Sequence, residues 1–219
     1  MSEHAVVRPA EPASLRLDAR RNRDRLLAAA AELLARDGTE VSVADIAARA
    51  GVGKGTVFRH YASKDALVAE VVCESLEALL RRGQEFADTL PPAEALREFM
   101  TEAVHRQADD RAFCEVVAGA SADNERVQES VRRLHALVEE LTVRAREAGA
   151  IRPDVTGDDI ALLLSGIYQT AAPLARTDPE LWRRYLALAL DGLLPQHANP
   201  LPHPSPRLAG AQGDELRRM

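Results

Sequence analysis

The 219-residue chain has room for one sizeable domain or for a small domain joined to a larger one. Its net charge is −6, its hydrophobic content 46%, and its aromatic content only 4%. No run of about 18 uncharged apolar residues exists to span a membrane, two cysteines do not make a disulfide framework, and the absence of a secretory-type leader makes a cytoplasmic location the default expectation. Ala, Leu, Arg and Glu dominate, and no β-branched run is bounded by turn residues, so the expected class is all-α.

The charge is unevenly spread. Residues 14–64 carry +4, with cations from Arg16 to Lys64, which leaves −10 on the rest. A basic head on an acidic body points to a head that meets a polyanion; ordinary charge scatter is the alternative.

Residues 1–14 are polar and contain proline, as a loose arm would. The spacing of Leu26, Leu27, Ala30, Leu33 and Leu34 predicts a helix from about Leu17 to Asp37, stopped at Gly38. Ser42 is a natural N-cap, Asp45 can close a variant of the capping box, and Val43, Ile46, Ala47 and Ala50 form an apolar stripe. Gly51-Val52-Gly53 makes a short turn into a third helix, about Lys54 to Tyr61, and Ser63 caps a long helix from Lys64 to about Ala87.

Pro91-Pro92 marks a boundary, after which helix resumes to about Asp109. A short helix at about Arg111–Ala118 and a long one from Asn124 to Ala148 follow, the latter ended by Gly149. Two closing helices are expected at about Gly157–Ala175 and Asp178–Leu194. Five prolines from Pro195 to Pro206 then predict disorder over residues 195–219. The expected organisation is thus an arm (1–14), a three-helix head (15–63), a helical body (64–194) and a tail.

Two helices joined by a three-residue glycine turn are the ingredients of a helix-turn-helix. If Val57 and Tyr61 pack back on Ile46 and Leu33, then Lys54, Gly55, Thr56, Phe58, Arg59 and His60 face outward, toward a major groove. A packed three-helix unit without DNA contact is the plain alternative, and for Val43, Ile46, Val57 and Tyr61 a core role is the correct reading.

The run from Gly38 to Ala47, then Ala50 to Tyr61, completed by Ser63-Lys64-Asp65-Ala66-Leu67, resembles the TetR family of regulators over about 50 residues. The remaining chain is similar only in the number, length and order of its helices. The resemblance implies that Ser42 and Ala44 touch the phosphate backbone or nearby bases. It also implies that Lys54, Gly55 and Thr56 open the recognition helix and that His60 and Lys64 clamp phosphates. Phe58 departs from the tyrosine the family often has there and offers only apolar contact, and Ala44 brings no donor. Sequence readout is therefore expected to rest on Lys54, Thr56 and Arg59.

The resemblance further implies a body that binds a small molecule and dimerises. The last two helices, about 157–194, carry apolar stripes wider than one core-facing side needs, including Ile160, Leu162, Leu163, Leu164 and Ile167, then Leu181, Trp182, Tyr185, Leu186 and Leu188. In the family this pair makes a homodimer, against the alternative of deeper burial within one subunit. Candidate pocket residues are Leu76, Phe99, Met100, Val104, Phe113, Val117, Tyr168 and Trp182, each of which is plain core by default. A mainly apolar ligand fits them.

Other signals fall away. Gly51–Thr56 lacks the spacing and the preceding strand of a phosphate-binding loop. His135 with Glu139, and His105 with Asp109, lack a third metal ligand at helical spacing. No catalytic constellation and no cofactor site can be assembled. The expectation is a DNA-binding transcriptional repressor released from its operator by a small molecule, or alternatively a DNA-binding regulator or activator with no such ligand, and not an enzyme.

Overall fold

The computed structural model describes residues 12–117 and 124–206, and among them there is no strand. Nine α-helices run in order among the described residues. The head holds α1 (Pro12–Asp37), α2 (Val43–Ala50) and α3 (Lys54–His60). The body holds α4 (Lys64–Thr89), α5 (Pro92–Asp109), α6 (Arg111–Glu115), α7 (Glu125–Glu147), α8 (Gly157–Ala171) and α9 (Leu181–Gly192). No helix among the described residues is long and apolar enough to cross a membrane.

In the head, Leu26, Leu27, Ala30, Leu33 and Leu34 of α1 are buried with Ile46, Ala47 and Ala50 of α2 and with Val57 and Tyr61. The described part of α1 begins at Pro12, earlier than its periodicity suggests.

Helix α4 joins head and body. At 26 residues it is about 39 Å long, and it packs against α1, α5 and α7. It therefore buries residues on several sides, among them Leu67, Val72, Leu76 and Leu79. Gly83 lets α7 and α5 come close, since a Cβ there would lie 2.6 Å from Leu137 Cδ2 and 2.8 Å from Phe99 Cδ2.

Local caps set the other boundaries. Ser63, Asp110 and Asn124 accept the backbone N–H groups that open α4, α6 and α7. Thr156 and Asp159 form a complete capping box on α8. Helix α8 stops at Ala171, four residues before the expected end, because Pro173 lacks an N–H to continue the ladder and the chain tightens into a 3-10 turn over Ala172–Leu174. Helix α9 starts at Leu181, just after Pro179, rather than at Asp178. Helix α6 ends at Glu115, and the rest of its expected span to Ala118 reaches the edge of the described residues.

The tail differs from expectation over part of its length. Residues 195–206, where the prolines predict disorder, begin with a 3-10 turn and lie back against the start of α8. The Arg152 guanidinium donates to the Asn199 carbonyl, and the Ser205 hydroxyl donates to Asp159 Oδ2 at 2.8 Å. Polar anchors from the body order a segment whose own composition cannot form a core. Residues 207–219, like the arm at 1–11, lie outside the described residues.

Candidate nucleic-acid interface

The corner between α2 and α3 is set by its glycines. Gly51 adopts the left-handed conformation at φ 67°, its N–H donates to the Ala48 carbonyl at 3.1 Å, and the Val52 N–H donates to the Ala47 carbonyl at 3.0 Å. These two bonds are a Schellman stop, which needs a residue without a left-handed penalty. Gly53 then serves as the N-cap of α3 in an extended conformation.

At the start of α2, Ser42 Oγ accepts the Asp45 N–H at 3.2 Å and donates to Asp45 Oδ2 at 2.6 Å. The Asp45 carboxylate therefore takes the serine hydroxyl rather than the serine N–H, a variant of the box. Arg49 fastens α2 to α1 through two bonds to the Glu32 carboxylate, at 3.2 and 2.5 Å.

With Val57 and Tyr61 buried, the rest of α3 turns outward. Lys54, Gly55, Phe58 and Arg59 are exposed, and Thr56 and His60 are half-buried. Phe58 is 54% exposed, unusual for so large an apolar side chain. Lys64, half-buried, occupies the first turn of α4 beside the Ser63 cap, and Ser42 and Ala44 lie at the start of α2. Among the described residues no carboxylate is paired with Lys54, Arg59 or Lys64, whereas Arg23, Arg36 and Arg49 of the same head are all neutralised by acids.

Two of the polar links between this head and the body escape sequence reasoning. Glu115 of α6 accepts the Thr39 N–H at 2.8 Å and the Thr39 hydroxyl at 2.7 Å, just past the end of α1. Glu70 of α4 accepts from Arg23 of α1 at 2.6 Å and from Arg126 of α7 at 2.7 Å. The Arg126 hydrogen bond is the main reason the Glu70 carboxyl sits below the usual range, with burial opposing it. The partners are 47 to 76 residues apart, and no local spacing signals such pairs.

In the body, the candidate pocket residues Leu76, Phe99, Met100, Val104, Phe113 and Trp182 are all buried in the core, with Val117 and Tyr168 partly exposed. None of the eight lines a 670 Å³ groove that runs along α8 and α9 past Leu162, Leu163, Ile167 and Tyr185. A polar cluster that the sequence does not disclose lies beside Phe113. Arg106 Nη1 donates to Ser75 Oγ at 3.2 Å, and Ser75 donates to Asp110 Oδ2 at 3.3 Å. Arg106 Nε and Gln107 Oε1 are buried without a partner. Burial pushes the thiol of neighbouring Cys114 and the phenol of Tyr168 each up to about 12. His105 pairs with Asp109 and stacks on Trp182, and no cluster of three or more potential metal ligands occurs among the described residues.

The profile described as "Bacterial regulatory proteins, tetR family" matches residues 26–71, which span the corner and the head of α4. A second profile, "Transcriptional regulator SbtR-like, C-terminal domain", matches residues 91–195. The crystal structure of the TetR transcription regulatory protein from Mycobacterium vanbaalenii is 32% identical, with 82% of this chain and 99% of that one covered and a TM-score of 0.58. The chain belongs to the TetR family of transcriptional regulators. As a member it is a regulator and not an enzyme, with the helix-turn-helix head and helical body described above. This TetR-family chain is also 24% identical to the HTH-type transcriptional regulator UidR of Escherichia coli, over 75% of its length and 87% of that protein's. It is 25% identical to the ketosteroid transcriptional regulator KstR2 of Mycobacterium tuberculosis, covering 80% of this chain and 95% of that one at a TM-score of 0.58.

Proposed function

We propose that this regulator is a homodimeric repressor that grips a palindromic operator with α3 and is released by a small, mainly apolar ligand. The observation that carries the DNA half is the concentration of unneutralised cations, Lys54, Arg59 and Lys64, on the outward side of α3 and the first turn of α4. Lys54, Thr56 and Arg59 read base edges in the major groove. Ser42, Gly55, His60 and Lys64 hold phosphates, while Ala44 and Phe58 give apolar contact.

One seven-residue helix covers little DNA, so two copies reading adjacent major grooves are the natural solution. The dimer forms through the 157–194 region, where Leu162, Leu163, Leu174 and Leu188 remain exposed on one subunit. Hydroxyl-radical footprinting on the DNA upstream of the gene tests this. Two protected patches about 34 Å apart, or a small multiple of that, are expected, and a single patch or none would reject the dimeric reading.

The ligand half rests on the body. Phe99, Met100 and Phe113 supply buried apolar surface, and Arg106 and Gln107, farther along α5, carry polar atoms without a partner, so an apolar molecule with one polar end suits the body. KstR2, a ketosteroid regulator, gives a relative of the same fold with an apolar theme. Bound there, the ligand moves α6 and α4, and with them Thr39, Lys64 and the spacing of the two recognition helices. Coupling of about 1–3 kcal/mol corresponds to a roughly 5- to 150-fold change in operator affinity. Equal operator affinity with and without a bound candidate ligand would reject the switch.

A second reading, a DNA-binding regulator or activator with no small-molecule ligand, is favoured by the tight burial of Leu76, Phe99, Met100 and Val104. Calorimetric screening of apolar ligands against the full chain separates the two.

A further inference from the structure

We infer that the proline-rich segment at residues 198–206 is a wall of the dimer interface, contributed by each copy to the other. The inference rests on the homodimer proposed above and assigns it a part that lies beyond the match of the body to its family profile, which ends at residue 195.

The segment is held firmly to its own subunit. Arg152, 9% exposed, makes two bonds to the Asp154 carboxylate and donates as well to the Asn199 carbonyl. Its backbone N–H donates to the Leu193 carbonyl at 2.8 Å, so this loop, the end of α9 and the segment form one unit. Farther on, the Ser205 hydroxyl donates to the same Asp159 Oδ2 that takes the Thr156 N–H and hydroxyl in the α8 capping box. Pro200, Pro202 and Pro204 alternate between these anchors, and Pro206 follows the second. Each proline fixes φ near −65°, which lowers the backbone entropy lost in holding the segment.

What the anchors hold in place is apolar and open. Leu201 and Pro206 stand at the edge of the α8–α9 groove with Leu162, Leu163 and Tyr185, and Leu201 is 45% exposed. A second copy is the occupant that fits. Gly166 sits inside α8, where glycine costs about 1 kcal/mol against alanine, yet a Cβ there would meet nothing within 4 Å among the described residues. No described neighbour within the subunit calls for that glycine, whereas a helix crossing from outside at close range does. The segment continues the exposed apolar face of α8 and α9, through which the proposed dimer forms, along one side.

Sedimentation equilibrium on four forms of the full chain tests the inference: the wild type, a chain ending at Pro206, a chain ending at Leu194, and Leu201→Asp. The wild type and the chain ending at Pro206 are expected to dimerise with the same Kd. The chain ending at Leu194 and Leu201→Asp are each expected to raise that Kd at least tenfold with helical circular dichroism unchanged. Leu201→Asp, an exposed position, decides the matter if the shorter chain does not fold. Undiminished dimerisation of Leu201→Asp would overturn the inference while leaving the dimer standing, and so would equal weakening of the chain that keeps the segment and ends at Pro206. A monomeric wild type would instead remove the dimer on which the inference rests.

Discussion

Glu115 holds Thr39 by two hydrogen bonds, one from its backbone N–H at 2.8 Å and one from its hydroxyl at 2.7 Å. The pair closes the gap between the five-residue helix α6 and the bend after α1, and Arg111 braces the carboxylate from within α6 at 2.8 Å. Gly38 makes the approach possible. It is left-handed at φ 77°, and a Cβ on it would fall 2.5 Å from Glu115 Oε1. Helix α6 also carries Phe113, sealed in the body core, so the joint links that core to the bend from which the DNA-reading corner is hung.

Replacing Glu115 by alanine removes both bonds to a charged acceptor. The expected cost is about 1.5–3 kcal/mol, the range for such bonds in a partly buried setting, with faster amide hydrogen exchange at Thr39. Exchange at Thr39 as slow as in the wild type would show that the joint does not hold.

Gly51→Ala forces a Cβ into the left-handed conformation. A loss of about 1–2 kcal/mol is expected, visible in urea unfolding, with the DNA-binding corner the first region to gain exchange. Stability equal to the wild type would mean that the corner relaxes to another geometry.

Lys64→Ala and Thr56→Ala should behave differently toward DNA. The lysine change is expected to weaken binding to all duplexes alike and to flatten the salt slope by about one. The threonine change is expected to alter the ranking of sites with the slope intact. Salt titrations against two unlike duplexes distinguish them, and identical behaviour contradicts the assigned roles.

Glu70 links α1, α4 and α7, and its partners hold its carboxyl below the usual glutamate range. A carboxyl depressed by folding contributes its full stabilisation above the unfolded value, about 4.3, and loses it as pH falls through the lower folded value. Glu70→Gln is therefore expected to cost about 1 kcal/mol at pH 7, as for a favourable ion-pair network. The deficit should shrink as pH falls below about 4. Urea unfolding at pH 7 and 3.5 measures both, and a deficit independent of pH would contradict the assignment.

The parts of the molecule legible in the sequence are those governed by neighbours in the chain. Gly51 and Ser42 act within a turn of themselves, so the α2–α3 corner and its outward residues could be read from spacing alone. Apolar periodicity continues past Pro173 while the backbone ladder of α8 cannot, and nothing in the apolar spacing marks the turn at residues 179–180 that delays α9 to Leu181. Thr39 with Glu115, Glu70 with Arg23 and Arg126, and the mooring of Ser205 on Asp159 depend on tertiary placement. Alternating prolines look the same whether a segment floats or is anchored, and the anchors at Arg152 and Asp159 lie some 46 residues away.

The most direct test of the account is fluorescence anisotropy of the purified full chain with a duplex from upstream of its own gene, titrated at several salt concentrations against a scrambled duplex of equal length. Saturable binding at two chains per site is expected, tighter than to the scrambled duplex by at least about 10³ and falling steeply with salt. Equal affinity for the two duplexes would contradict a base-reading role for Lys54, Thr56 and Arg59.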